Sequence, residues 1–325
     1  MRIPFRQAAQ LALSLTLLVP SLVCVSPAAA DAAPTTVVLG TATEGGGFQL
    51  FGRHLAEAIN ITDLSIRVDA IATRGSRQNL SLLEQGKIDI GLVEGNAARQ
   101  ALEGIGRAPA RLEVLSVMYP NPGMFAVRAD SPYRSIAQLE GNPVAFGTRA
   151  SGLRILANDM LDGMGLLPER DFEPVILEKA ADGPRLVLAG EVAALWGAGI
   201  GWPGFVAIAD SSPGGRFIAP SATQVQQILA KHPHLRPMSV PAGTYRGQDA
   251  QIDSVGLWSL ILVRPELPDQ LVYRLAGAIH KAQEALTESL AQGRYTTAQN
   301  TVDQVAPERL HPGAESFYLE AGFVR

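Results

Sequence analysis

The sequence predicts an α/β fold of two domains that face each other across a ligand cleft and are joined by two crossing strands. Three observations lead there. Short apolar strands alternate with amphipathic helices, the pattern of a largely parallel sheet. The pattern runs in two series, 35–103 and 142–196. Two long extended runs, 112–130 and 253–264, sit where the chain would leave the first domain and return to it.

The N-terminus reads first. "MRIPFRQ" carries Arg2 and Arg6, "LALSLTLLVPSLVCV" is apolar, and "SPAAADAAP" offers small-residue cleavage sites. This is a secretory signal over 1–30, with periplasmic export implied. The alternative, a retained anchor, wants ~20 apolar residues. The single cysteine, Cys24, lies in this segment. A mature chain without cysteine excludes disulfides, thiol catalysis and thiolate metal sites. Of the 27 Lys and Arg, two fall in the signal, and none of the 31 Asp and Glu do. The remaining acidic balance argues against nucleic acid.

The first series opens with a strand over 35–41, followed by a helix with Leu50, Phe51, Leu55, Ala58 and Ile59 on one face. A second strand covers 64–73, and Ser76 is placed to cap a helix holding Leu80, Leu82 and Leu83. A third strand covers 87–93, with Asn96 placed as the next cap. The second series has strands at 142–148, 173–178 and 192–196, with "RASG" opening its first helix. A C-terminal helix starts at Pro268 and should bury Leu271, Leu275, Ile279 and Leu286. If both crossings hold, domain I is 31–123 with 256–325, and domain II is 124–255, inserted. A cleft between such domains is a natural ligand site, and the two crossings make a hinge.

The loops after the strands carry the candidate chemistry. "GTATEGGGFQLF" places Gly45, Gly46 and Gly47 between strand and helix. Gly40 and Gly45 have the spacing of a P-loop's first glycines, but glycine stands where lysine and Ser/Thr are required. The turn instead lets backbone N–H groups approach an anion at a helix start. His54, His232, His234, His280 and His311 form no local catalytic motif, and a metal site at "KHPHLRP" needs further ligands that the local sequence does not show. No G-x-S-x-G elbow occurs, although triad members scattered in sequence leave no local trace. No metal and no cofactor are expected. Thr43, Gly46, Gly47, Phe48, Gln49, Arg74, Ser76, Glu94, Tyr119, Arg149, Ser151, Gly152, Trp196 and Trp202 are the candidate ligand-binding residues. Each loop taken singly also reads as ordinary turn and cap chemistry. Together they follow the C-terminal ends of parallel strands, where ligands bind in such sheets. Arg74 and Arg149 each precede a helix start and could grip a carboxylate bidentately; Arg149 is the favoured anchor. The two tryptophans pack either on the ligand or in the core.

At these loops the chain resembles the TAXI family, the solute receptors of one class of TRAP transporters. The resemblance is carried by Gly40-Thr41, Gly45-Gly46 and Phe48, by "TRGSRQNL", "FGTRASG" and "GAGIGWPG", and by "VPAGTYRGQD" and "LHPGAESFYLEAGF". It implies a type II periplasmic-binding-protein fold that closes on a small carboxylate or amino acid. It also implies delivery of the ligand to an ion-gradient-driven, TRAP-type membrane permease. A monomer is expected. Four departures fall where a ligand would lie: Phe48-Gln49 for an aromatic pair, Glu94-Gly95-Asn96 for Q-S-D, Arg74 for glycine, and the two tryptophans. Glutamate-like specificity therefore does not carry over by default. The function expected is a non-enzymatic periplasmic receptor for a small organic anion. The alternatives are an enzyme using the same cleft and a receptor that serves a membrane sensor.

Overall fold

The computed structural model describes residues 33–323, so the expected signal segment and Cys24 lie outside the described residues. The first lobe begins with β1 (Thr35–Gly40), α1 (Gly47–Thr62), β2 (Ile66–Ile71), α2 (Ser76–Glu84), β3 (Ile90–Val93), α3 (Gly95–Glu103) and β4 (Glu113–Pro120). The chain then crosses to β5 (Gly123–Arg128), β6 (Pro143–Thr148), α4 (Leu153–Gly163), α5 (Pro168–Asp171), β7 (Glu173–Leu177) and α6 (Asp182–Ala189). The second lobe continues with β8 (Ala194–Ala198), α7 (Pro203–Ala209), β9 (Gly215–Ile218), α8 (Ala222–Lys231), β10 (Arg236–Val240) and β11 (Ile252–Gly256). The chain returns through β12 (Trp258–Val263) and ends with α9 (Asp269–Lys281), α10 (Gln283–Ser289), α11 (Ala298–Gln304) and α12 (Pro312–Glu320).

The two lobes repeat one topology. The first sheet has the order β2-β1-β3-β12-β4 and the second β7-β6-β8-β5-β9. In each, three parallel strands are followed by one antiparallel strand: β12 beside β3, and β5 beside β8. That antiparallel strand is the one the chain enters after crossing. Both faces of the central strands are covered, so β3 is buried throughout, as parallel strands under two helical layers must be.

The crossings are pinned together. The Asn121 backbone N–H donates to the Leu257 carbonyl at 3.1 Å, and its side-chain amide donates to Ser259 Oγ at 2.6 Å. Ser254 Oγ donates to the Gly123 carbonyl. Gly256 lies so close that a Cβ there would overlap the Asn121 carbonyl oxygen.

Several local expectations shift. Ser76 is the first residue of α2 and Gly75, at φ 109°, is its cap; the Ser76 hydroxyl instead accepts from the Glu94 N–H. Glu94, not Asn96, caps α3: its side chain accepts from the Asn96 and Ala97 amides that follow it. The strand expected at 192–196 runs two residues later, to Ala198. The C-terminal helix breaks at Ala282, and Val272 is buried in place of a half-buried Leu271.

Gly256→Ala is expected to lose at least the about 1–3 kcal/mol of an overpacked site, because the obstructing atom is backbone. Urea unfolding checks this, and a midpoint equal to wild type would show that the crossings are not tightly joined.

Candidate functional site

Six helix starts converge between the lobes. They follow β1, β2 and β3 in the first lobe and β6, β7 and β8 in the second. Each start leaves first-turn N–H groups without intrahelical partners and carries the positive end of the helix dipole. A cavity of about 70 Å³ lies among them, lined from both lobes and by Tyr119 and Asn121 next to the first crossing. A space of this size suits a compact ligand.

The lobes meet through backbone. The Arg77 N–H donates to the Ala150 carbonyl at 3.2 Å, and the Ala181 N–H to the Glu44 carbonyl at 3.2 Å. The Ala180 N–H reaches Thr43 Oγ1 at 3.3 Å, and Lys179 pairs with Glu44 at 2.9 Å on the exposed rim. The three glycines serve this approach. Gly45 turns the chain at φ 74°, and a Cβ on it would come within 2.5 Å of Ala181. A Cβ on Gly47 would come within 2.8 Å of the Trp202 ring. From the other lobe, a Cβ on Gly152 would come within 2.6 Å of the Glu94 side chain and 2.9 Å of Ser76 Oγ.

Of the candidate residues, Thr43, Gly46, Gly47, Phe48, Arg74, Ser76, Glu94, Tyr119, Ser151, Gly152, Trp196 and Trp202 all line the cavity. Gln49 and Arg149 do not. Arg149 is exposed, in the turn that follows the end of β6 at Thr148. Gln49 follows Phe48 by one helical step, about 100° around α1. Arg149, the favoured anchor, lies off the lining, and Arg74 is the one cationic residue on it.

The tryptophans differ. Trp196 is fully buried against Phe125, its indole N–H spent on the Leu153 carbonyl at 2.8 Å. Trp202 packs on Phe205 and reaches Gly47 of the opposite lobe. Its indole thus belongs to the closing surface. Tyr119 stands edge-on to Phe51 at 5.3 Å beside it.

Glu94 is the unusual group. It is 1% exposed, and its carboxylate accepts from the Asn96 and Ala97 N–H groups and the Asn96 side-chain amide. Burial nonetheless outweighs those bonds and pushes its pKa up to about 7. It occupies the α3 start. One residue escaped the sequence reading. Asn79 donates to the carbonyls of Gly40, Thr41 and Leu92, tying the ends of β1 and β3 that carry two cavity loops. The asparagine of "TRGSRQNL" was the available signal.

The model of the NMT1-like family matches residues 39–322. The chain belongs to the NMT1-like family. Among solved structures, a Bordetella bronchiseptica protein is similar with TM-score 0.54 and 13% identity, over 89% of this chain and 90% of that one. Tv2483 bound to L-arginine is similar with TM-score 0.52 and 12% identity, over 83% and 94%. The periplasmic aliphatic sulphonate binding protein SsuA from Escherichia coli has TM-score 0.49 and 20% identity, over 88% and 83%. The fold is shared with the Bordetella bronchiseptica protein and with Tv2483, and this NMT1-like chain has its cavity where its two lobes meet.

Glu94 makes stability depend on pH. Its folded pKa lies above the ordinary 4.5, so the native state holds a proton that the unfolded chain releases. This contribution is full below about pH 4.5 and is lost as pH rises through about 7, a change on the order of 3 kcal/mol. Glu94→Gln should flatten the stability profile of the empty protein between pH 5 and 8, measured by urea unfolding. An unchanged profile in the variant would assign the slope to other groups.

Proposed function

We propose that the protein is an exported solute receptor of the TAXI type, which captures a small organic anion and delivers it to an ion-gradient-driven TRAP-type permease. The observation that carries the binding role is the cavity at six helix starts between the lobes, with Arg74 the one cationic residue on its lining. A carboxylate gains both from the helix dipoles and from a guanidinium. The buried Glu94 adds a preference for a ligand that also bears a positive charge, as an amino acid's ammonium does, because a counter-charge offsets the burial that disfavours its ionised carboxylate. A protein of this fold, Tv2483, holds L-arginine. The permease rests on the family-like motifs at the loops.

Two rigid bodies, 31–123 with 256–325 and 124–255, would turn about Asn121 and Leu257 to open the cleft. Against an enzyme stands the lining itself. It includes Ser76 and Ser151 but no histidine, and all five histidines lie elsewhere. His311 caps α12 through its ring, and His280 packs on Phe317 and Phe323. Among the described residues no helix is long and apolar enough to cross a membrane.

Native mass spectrometry of freshly purified protein should show one small molecule per chain, released unchanged on unfolding. Recovery of a converted product would favour the enzyme. With that molecule, Arg74→Ala should weaken binding by about 1.5–3 kcal/mol, the range for a hydrogen bond to a charged group. Arg149→Ala should bind as wild type does in calorimetry; the reverse order would place the anchor on the second lobe. A gene for a large multi-span permease beside this one would favour transport over sensing.

A further inference from the structure

The helix α4 that opens at the cleft carries a second cluster of ligand-type groups farther along. His232 and His234, in the turn between α8 and β10, face Asp159 of α4, 75 residues before His234. One ligand atom from each of the three lies within 4.8 Å of the other two. His234 Nε2 is 3.0 Å from Asp159 Oδ2, and the two imidazoles stand at 90° with centroids 5.7 Å apart. The side chains are 16–19% exposed, reachable from solvent yet largely dehydrated. Asp162 holds the His232 ring at 2.8 Å, the kind of outer carboxylate that orients a metal-bound imidazole.

The geometry points to a binding site for a divalent transition metal, with zinc the best fit, held by Asp159, His232 and His234. Two imidazoles and one carboxylate, with a fourth position for water or Asp162, is a set that zinc accepts. Tetrahedral ligands at zinc stand about 3.5 Å apart, so small side-chain rotations close the site. The nearby cations are already engaged, Lys231 with Asp162 at 2.8 Å and Arg99 with Glu103 at 3.0 Å. The sequence reading expected no metal because the third ligand is on another element. Bound metal would clamp α4, which bears Ser151 and Gly152 at its start, to the α8–β10 turn.

The test is titration of zinc chloride into the untagged, chelator-washed chain, followed by calorimetry and by thermal melting. One zinc per chain and a raised melting temperature are expected. The double variant His232→Ala/His234→Ala should abolish both. Asp159→Asn, which keeps the side chain's shape, should do so without altering the melting temperature in chelator. Asp162→Asn should weaken binding by about 10–100-fold, as for a group that orients a ligand. No binding by wild type, or equal binding by the double variant and Asp159→Asn, would overturn the proposal and leave two hydrogen-bonded His–Asp pairs.

Discussion

Everything at the cleft depends on backbone meeting backbone across it. At Gly45 against Ala181, Gly47 against Trp202, and Gly152 against Glu94, there is no room for a side chain on the glycine. Interlobe hydrogen bonds at Ala150 and Glu44 use main-chain carbonyls that would be out of reach if the surfaces stood one methyl apart. The glycine run after β1 is therefore a closing surface first. Its first-turn N–H groups remain at the cavity edge, so the anion-binding reading survives as a second use of the same turn.

Closure changes the electrostatics it encloses. Excluding water strengthens the pull of the helix starts and of Arg74 on an anion. It also raises the penalty on Glu94, whose shift comes chiefly from burial. A ligand with a carboxylate and an ammonium would answer both. Trp202 and Tyr119 supply the apolar wall, while Trp196, tied by its N–H to Leu153, holds the second-lobe sheet behind it.

The sheets and their crossings were legible because buried parallel strands leave unbroken apolar runs, such as "GLV" and "VAF", and because glycine and serine punctuate their ends. The placement of turn residues was not. Arg149 sits in the turn just past β6, and loop composition does not say which turn residues reach the cleft. Caps were read one position late at Ser76 and two late at Asn96, since serine and asparagine are the common caps and a buried Glu94 is a costly one. Gly95 explains the departure beside it: a Cβ there would come within 2.5 Å of Leu257 and the Trp258 carbonyl. That constraint comes from the second crossing, far away in sequence. The same distance hid Asp159 from His232 and His234.

The central claim is that the two lobes close on a ligand by turning about the paired crossings. Small-angle scattering tests it most directly, with the molecule recovered from the protein first removed and then returned. The account predicts a radius of gyration that falls on return of the ligand, and no fall in a Gly152→Val variant whose added side chain blocks contact with Glu94. An unchanged radius in the wild type, with binding confirmed by calorimetry, would contradict it.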